Sequence, residues 1–371
     1  MGKRNPTMNR FAIYFPQFYP TDINNRAWGY GFTDWALVAE ANLRERWSRR
    51  APAMGFYDGS NISVHEHQIE TALAAGLTGF GIYHYWFYES HELSAFEENI
   101  LHQANLSNKS FKWFVIWATE NWSKRWIGDS TPLVNLSDRP SIESIRKHCD
   151  HLVKCFNTPG YHRIDNRPLF CIYNIAHFSH PEETLAIYRK ILLERGVDVY
   201  IAHFVKNPFD FQYSNLTDGS YLFEPRLFFG TKRRGRGSLA KRTFDVFRKF
   251  TGEGIANRTI TFIDRFQQKG QTFSANDFIN YMNSRERRDW VKEFPGPVQN
   301  VISPGWNNTP RYQDRFTALE PLSGDQFRSL LKAGTCDVEL PLMINAWNEW
   351  SEGAAIEPCA YLGSEYLDSL A

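Results

Sequence analysis

Cysteine is scarce in this chain and shows no pattern. Cys149, Cys155, Cys171, Cys336 and Cys359 make an odd count of five with no CxxC spacing. A disulfide scaffold and a zinc site are therefore excluded as organising devices. Long apolar runs are missing as well. No window reaches about 18 uninterrupted apolar residues, so no membrane span is expected. Met1 to Thr7 leads only into a short apolar run, Phe11 to Phe15, which does not read as a secretion signal. Charge of one sign is also absent, since 42 Lys and Arg face 41 Asp and Glu for a net +1. Nothing global points to nucleic acid or to a membrane surface. No GxSxG elbow, P-loop or dinucleotide fingerprint appears, which argues against acyl transfer by that route, phosphoryl transfer and hydride transfer. The expectation is a soluble, reduced, cytoplasmic protein, with a peripheral position at the inner face of the membrane left open. No cofactor, metal or nucleic-acid partner is expected, and oligomeric state is not readable.

Aromatic residues, by contrast, are abundant at 16%, with 12 Trp, 17 Tyr and 29 Phe. Phe fills cores, but Trp and Tyr also bind sugar faces. Short apolar runs of strand character recur along the chain: 11–15, 79–83, 112–118, 167–173, 197–204, 219–223, 297–302 and 340–345. Helical patterns fall between them at 64–75, 92–105, 141–156, 181–195, 275–291 and 323–333. Ser141 reads as an N-cap, and Gly76, Gly196 and Gly334 read as helix stops. Strands alternating with helices over 371 residues predict an α/β fold, a single (β/α)8 TIM-type barrel. It forms one domain over residues 1–371. A basic, Gly-rich stretch after the sixth strand, about 229–275, reads as a mobile insertion within it. The loop from Trp28 to Trp35 is too long and aromatic for a simple connector.

Barrel active sites lie at the carboxyl ends of the strands. Here those ends carry Gln17, His84, Tyr85, Trp86, Glu120, Asn121, Trp122, Asn174, His203, Glu224, Trp306 and Asn348. Neighbouring Trp28, Tyr83, Trp117, Asn345 and Trp347 join them as candidate substrate-binding residues. Amides, acids and indoles suit sugar hydroxyls and pyranose faces. Arg125 and Arg226 offer ion-pair partners to Glu120 and Glu224. The eighth strand opens directly into Asn345-Ala346-Trp347-Asn348-Glu349-Trp350-Ser351-Glu352-Gly353. Glycosidic bonds are broken by paired carboxyl groups, and Glu349 and Glu352 are the first candidates. Their Cα atoms lie at most about 10 Å apart, a spacing compatible with either a retaining or an inverting site. His65 and His67 at i and i+2 do not face one another on a helix and are not read as metal ligands.

These stretches resemble the WbsX-type proteins, named as glycosyltransferases of lipopolysaccharide biosynthesis and related to glycoside hydrolase family ninety-nine. The likeness runs through 12–20, 28–35, 55–58, 79–87, Glu120-Asn121-Trp122, 304–311, 345–353, Ile356-Glu357-Pro358 and Tyr366-Leu367. It implies a (β/α)8 barrel acting on a polysaccharide or a lipid-linked glycan in surface polysaccharide metabolism, as a retaining, endo-α-mannosidase-like enzyme. It further implies that Glu349 takes the proton of the sugar's own 2-hydroxyl, which attacks the anomeric carbon, while Glu352 protonates the leaving oxygen. The competing readings are a sugar-nucleotide-dependent glycosyltransferase of O-antigen biosynthesis and a non-catalytic glycan-binding protein.

Overall fold

A computed structural model of the chain describes residues 9–44, 49–88, 110–123, 132–232, 270–334 and 339–370. Eight short strands form its centre: β1 (Arg10–Tyr14), β2 (Gly79–His84), β3 (Lys112–Trp117), β4 (Arg167–Ile172), β5 (Tyr200–Val205), β6 (Gly219–Phe223), β7 (Val298–Ile302) and β8 (Leu342–Ile344). Each pairs in parallel with the next. β8 then pairs with β1, Met343 opposite Phe11, and the sheet closes. The fold is the expected (β/α)8 barrel. Nearly every strand residue is buried. A strand covered on both faces is largely apolar, which is why most of these segments read as apolar runs, although Gln299 and Asn300 of β7 are buried polar residues. Gly79 opens β2 where any Cβ would collide with the carbonyl oxygen of Lys112, so the two strands meet at a distance that only glycine permits.

Helices Ile62–Ala74, Ile142–Phe156, Pro181–Glu194 and Gly324–Ala333 pack outside the barrel. Local chemistry sets their ends. Ser141 Oγ accepts from the Ser144 N–H at 3.1 Å, and Ser323 with Gln326 forms a reciprocal capping box. The helix expected over 275–291 is two helices, Ala275–Met282 and Arg285–Val291. The break arises because Ser284 caps the second one, accepting from the Arg287 N–H. The loop expected around Trp28 to Trp35 instead joins two helices, Asp22–Trp28 and Asp34–Arg44. The helix expected at 92–105 lies outside the described residues, as does most of the basic insertion. The insertion's flanks belong to the body. Phe229 is buried, and Gln271–Phe273 pairs in parallel with Thr317–Leu319. Among the described residues no helix is long and apolar enough to cross a membrane.

Candidate active site

Side chains alternate along a strand, so each barrel strand sends every second residue into the lumen. At the carboxyl ends these residues surround a cavity of ≈ 220 Å³. Tyr83 and Tyr85 reach it from β2, Glu120 and Trp122 from β3, Tyr173 from β4, Arg226 from β6, and Glu349 and Glu352 from β8. Gln17, Trp28 and Asp34 close it from the segment after β1, and Arg311 closes it from the short helix Thr309–Tyr312.

The turn bearing the two glutamates is fixed from several directions. Asn348 clamps the backbone of Phe15, accepting from its N–H and donating to its C=O, both at 2.8 Å. Trp350–Glu352 then makes a single 3-10 turn. Gly353 ends it at φ 63°, a left-handed conformation that favours glycine. A Cβ there would also strike the Arg50 guanidinium, which donates to the carbonyls of Trp350 at 3.2 Å and Asn307 at 3.0 Å.

One guanidinium organises the acids. Arg311 donates to Glu352 Oε1 at 2.7 Å and to Asp34 Oδ2 at 2.5 Å, and lies 3.7 Å from Glu349 Oε2. Ser351 Oγ donates to the same Asp34 oxygen at 2.6 Å. Arg226 approaches Glu352 to 3.9 Å while lying 5.5 Å over the Trp306 ring. Glu349 Oε2 has no hydrogen-bond partner among the described residues and is buried. Burial, and then the neighbouring Glu352, push Glu349 from 4.5 up to about 8, against the opposing pull of Arg311. A carboxyl that holds its proton near neutrality, beside a second one that accepts from a guanidinium, is the pattern of an acid–base pair. Across the cavity, Lys206 Nζ donates to Glu120 Oε1 at 3.1 Å and sits 4.0 Å over the Tyr173 ring. Burial pushes Lys206 down and Glu120 opposes this.

Gln17, Trp28, Tyr83, Tyr85, Glu120, Asn121, Trp122, Glu349 and Glu352 are thus brought together around one cavity. Asn121 also has a local task, accepting from the Leu136 N–H at 2.8 Å. The remaining candidates do not line the cavity. His84 and Trp86 fall on the outward side of the alternation that sends Tyr83 and Tyr85 inward. His84 meets His148 of helix Ile142–Phe156 at 2.8 Å, and Trp86 stacks on that same imidazole. Trp117 donates to the Trp86 carbonyl. His203 is buried between Ser214 and Ser220. Glu224 is buried against Arg287 at 3.3 Å and the Phe228 N–H, so its partner is Arg287 and not Arg226. The Asn174 backbone exchanges hydrogen bonds with Thr119. Trp306, Asn345 and Trp347 are core residues, Trp347 against Phe80. Arg125 lies outside the described residues. Asp34, Tyr173 and Arg311 were not singled out from sequence, and Arg226 was read only as an ion-pair partner, yet all four line the cavity. Asp34 and Arg311 lay inside quoted motifs, and only their shared contact with Glu352 and its turn reveals their place.

A family model described as glycosyltransferase WbsX matches residues 10–370. The uncharacterized protein WxcX of Xanthomonas campestris pv. campestris, from strains B100 and ATCC 33913, is 26% identical over 373 residues, 96% of this chain and 48% of the relative. The chain spans about half the length of the curated relatives it matches. Among solved structures, a glycoside hydrolase-like protein superimposes with TM-score 0.59 at 16% identity, covering 99% of this chain and 93% of that one. The GH99 endo-alpha-mannosidase from Bacteroides thetaiotaomicron gives 0.56 at 14% identity, covering 98% and 95%. At these identities the likeness concerns the fold.

Proposed function

Because the chain belongs to the WbsX glycosyltransferase family, we propose that it is a carbohydrate-active enzyme of surface polysaccharide metabolism that breaks glycosidic bonds with Glu349 and Glu352, retaining anomeric configuration. The observation that carries this reading is the placement of the two carboxyl groups on one guanidinium, in a cavity walled by Tyr, Trp and Gln. Aromatic faces and amides suit a pyranose, and the pair suits proton transfer to and from its oxygens.

In the first step Glu349 takes the proton of the sugar's 2-hydroxyl. That oxygen bonds to the anomeric carbon, the glycosidic bond breaks, and the leaving oxygen takes a proton from Glu352. In the second step water gives its proton to Glu352 and bonds to the anomeric carbon. The 2-oxygen leaves and recovers its proton from Glu349. Two inversions give net retention. A sugar hydroxyl in place of water gives transglycosylation by the same residues. The reaction needs one proton on the pair. At rest Glu349 holds it, and Arg311 donates to Glu352. Productive binding therefore moves that proton from Glu349 to Glu352.

The direction of reaction is tested by incubating purified protein with mannose- or rhamnose-containing polysaccharide and no sugar nucleotide. Release of oligosaccharides supports this reading. Strict dependence on a nucleotide sugar would replace it with a sugar-nucleotide-dependent transferase.

A further inference from the structure

Behind the turn that carries the two acids lies a third carboxyl group that faces away from the cavity. Glu357 is 4% exposed, and three donors converge on it. Trp350 Nε1 donates to Oε2 at 2.8 Å, Tyr57 Oη donates to Oε2 at 3.1 Å, and Gln68 Nε2 donates to Oε1 at 2.6 Å. An indole N–H can only donate. Gln68 is held in this orientation because its Oε1 accepts from the Tyr14 hydroxyl at 2.7 Å. The site is therefore built for an acceptor on both oxygens, which is a carboxylate. Burial pushes the group up to about 7 against these donors. Its titratable neighbours are Tyr57 by direct contact, Tyr14 through Gln68, and His67 across a small cavity shared with Gln68 and Trp347.

Two links run from Glu357 to the reacting pair. Trp350 stands between Glu349 and Glu352 in the same 3-10 turn. Tyr57 accepts from Asn348 Nδ2 at 3.4 Å, and Asn348 is the residue before Glu349. The backbone N–H of Glu357 also donates to the Trp347 carbonyl at 2.9 Å. We propose that Glu357 is a positioning residue that pins the Asn348–Glu352 turn through Trp350 and Tyr57, and so sets where Glu349 and Glu352 stand. This rests on those two glutamates being the reacting pair. A displacement of about 1 Å in such a site lowers turnover by about 10²-fold, so the effect belongs in kcat.

The test compares wild type, Glu357→Gln, Trp350→Phe and the double variant. Thermal unfolding reports the fold, and kcat and KM are read on the polysaccharide that wild type turns over. The Trp350 indole proton is followed by ¹H–¹⁵N spectroscopy, its signal assigned by its loss in Trp350→Phe. Glutamine at 357 offers one acceptor where two oxygens now accept. The expected results are a folded Glu357→Gln with KM within about twofold of wild type, kcat lower by about 10–10²-fold, and an indole proton that shifts and exchanges faster. The double variant falls no further than Glu357→Gln within about twofold, because both changes remove one link. Unchanged kcat with a shifted indole signal overturns the positioning role, and so does an unmoved indole signal. Should Glu357→Gln not fold, Trp350→Phe alone decides, by a kcat loss of about 10-fold at unchanged KM. If wild type turns over no glycan, the function proposed above fails separately. The indole signal then still decides whether Glu357 holds the turn.

Discussion

Replacing Glu349 with glutamine should abolish activity and yet stabilise the protein, by an amount that grows with pH. Burial and Glu352 raise this carboxyl from 4.5 to about 8 in the folded state. Between those values the folded chain keeps a proton that the unfolded chain has released. Stability therefore declines as pH rises through that window, and the loss is complete above about 8. At ~1.4 kcal/mol per pH unit, the span sets an upper bound of roughly 5 kcal/mol. Glutamine is nearly isosteric and carries no titrating proton, so it escapes this penalty. Contributions from other raised groups, such as Glu357, are common to both proteins and cancel in the difference. An unfolding entropy of ~2.1 cal/mol/K per residue over 371 residues converts the bound to a Tm gain of about 6 °C at pH 9. The assay is calorimetric or urea unfolding of both proteins from pH 4 to pH 9. The two curves should nearly meet at pH 4 and diverge steadily above pH 5. Parallel curves, or a Glu349→Gln protein less stable than wild type at pH 9, would refute the reasoning that Glu349 is a strained carboxyl.

In the proposed mechanism the same proton governs turnover. kcat/KM should fall tenfold per pH unit above about 8, where the pair loses the one proton it needs; a profile flat to pH 10 would sink this. Arg311→Met leaves Asp34, Glu349 and Glu352 without their shared guanidinium. kcat/KM should drop by about 10²–10³-fold, and the Glu349 carboxyl, followed by ¹³C NMR, should release its proton above pH 8. His84→Phe removes the hydrogen bond to His148 on the outer face of the barrel. Urea unfolding should show a loss of about 1–3 kcal/mol, with kcat and KM unchanged; a raised KM would return His84 to the binding surface.

The barrel was legible because each strand is buried on both faces and is therefore mostly apolar, with exceptions such as Gln299 and Asn300 in β7. The helices were legible where a cap such as Ser141 or a stop such as Gly334 announced them. The helix break at Ser284 escaped because a Ser inside a charged stretch reads equally as surface or as a cap. The glutamate turn was legible because two acids stand where β8 runs out. Harder to read was which side of a strand end faces the lumen. Tyr83 and Tyr85 line the cavity while His84 and Trp86, equally polar or aromatic, point to helix Ile142–Phe156. A shift of one residue in register would exchange them, and sequence alone does not set that register. Arg311 and Asp34 are 277 positions apart, and no local pattern joins them. Glu224, read from sequence as a candidate at the end of β6, is buried with Arg287, a partner 63 positions away. Such pairs become visible only when the sheet closes.

The most direct measurement of the central claim is the appearance of new reducing ends from a mannose- or rhamnose-containing polysaccharide, with wild type, Glu349→Gln and Glu352→Gln assayed side by side. Wild type should release oligosaccharides whose new anomeric centre keeps the configuration of the cleaved linkage. Each variant, still folded, should fall by about 10³-fold or more. Wild-type rates in either variant would contradict the assignment of Glu349 and Glu352 as the pair that breaks the bond.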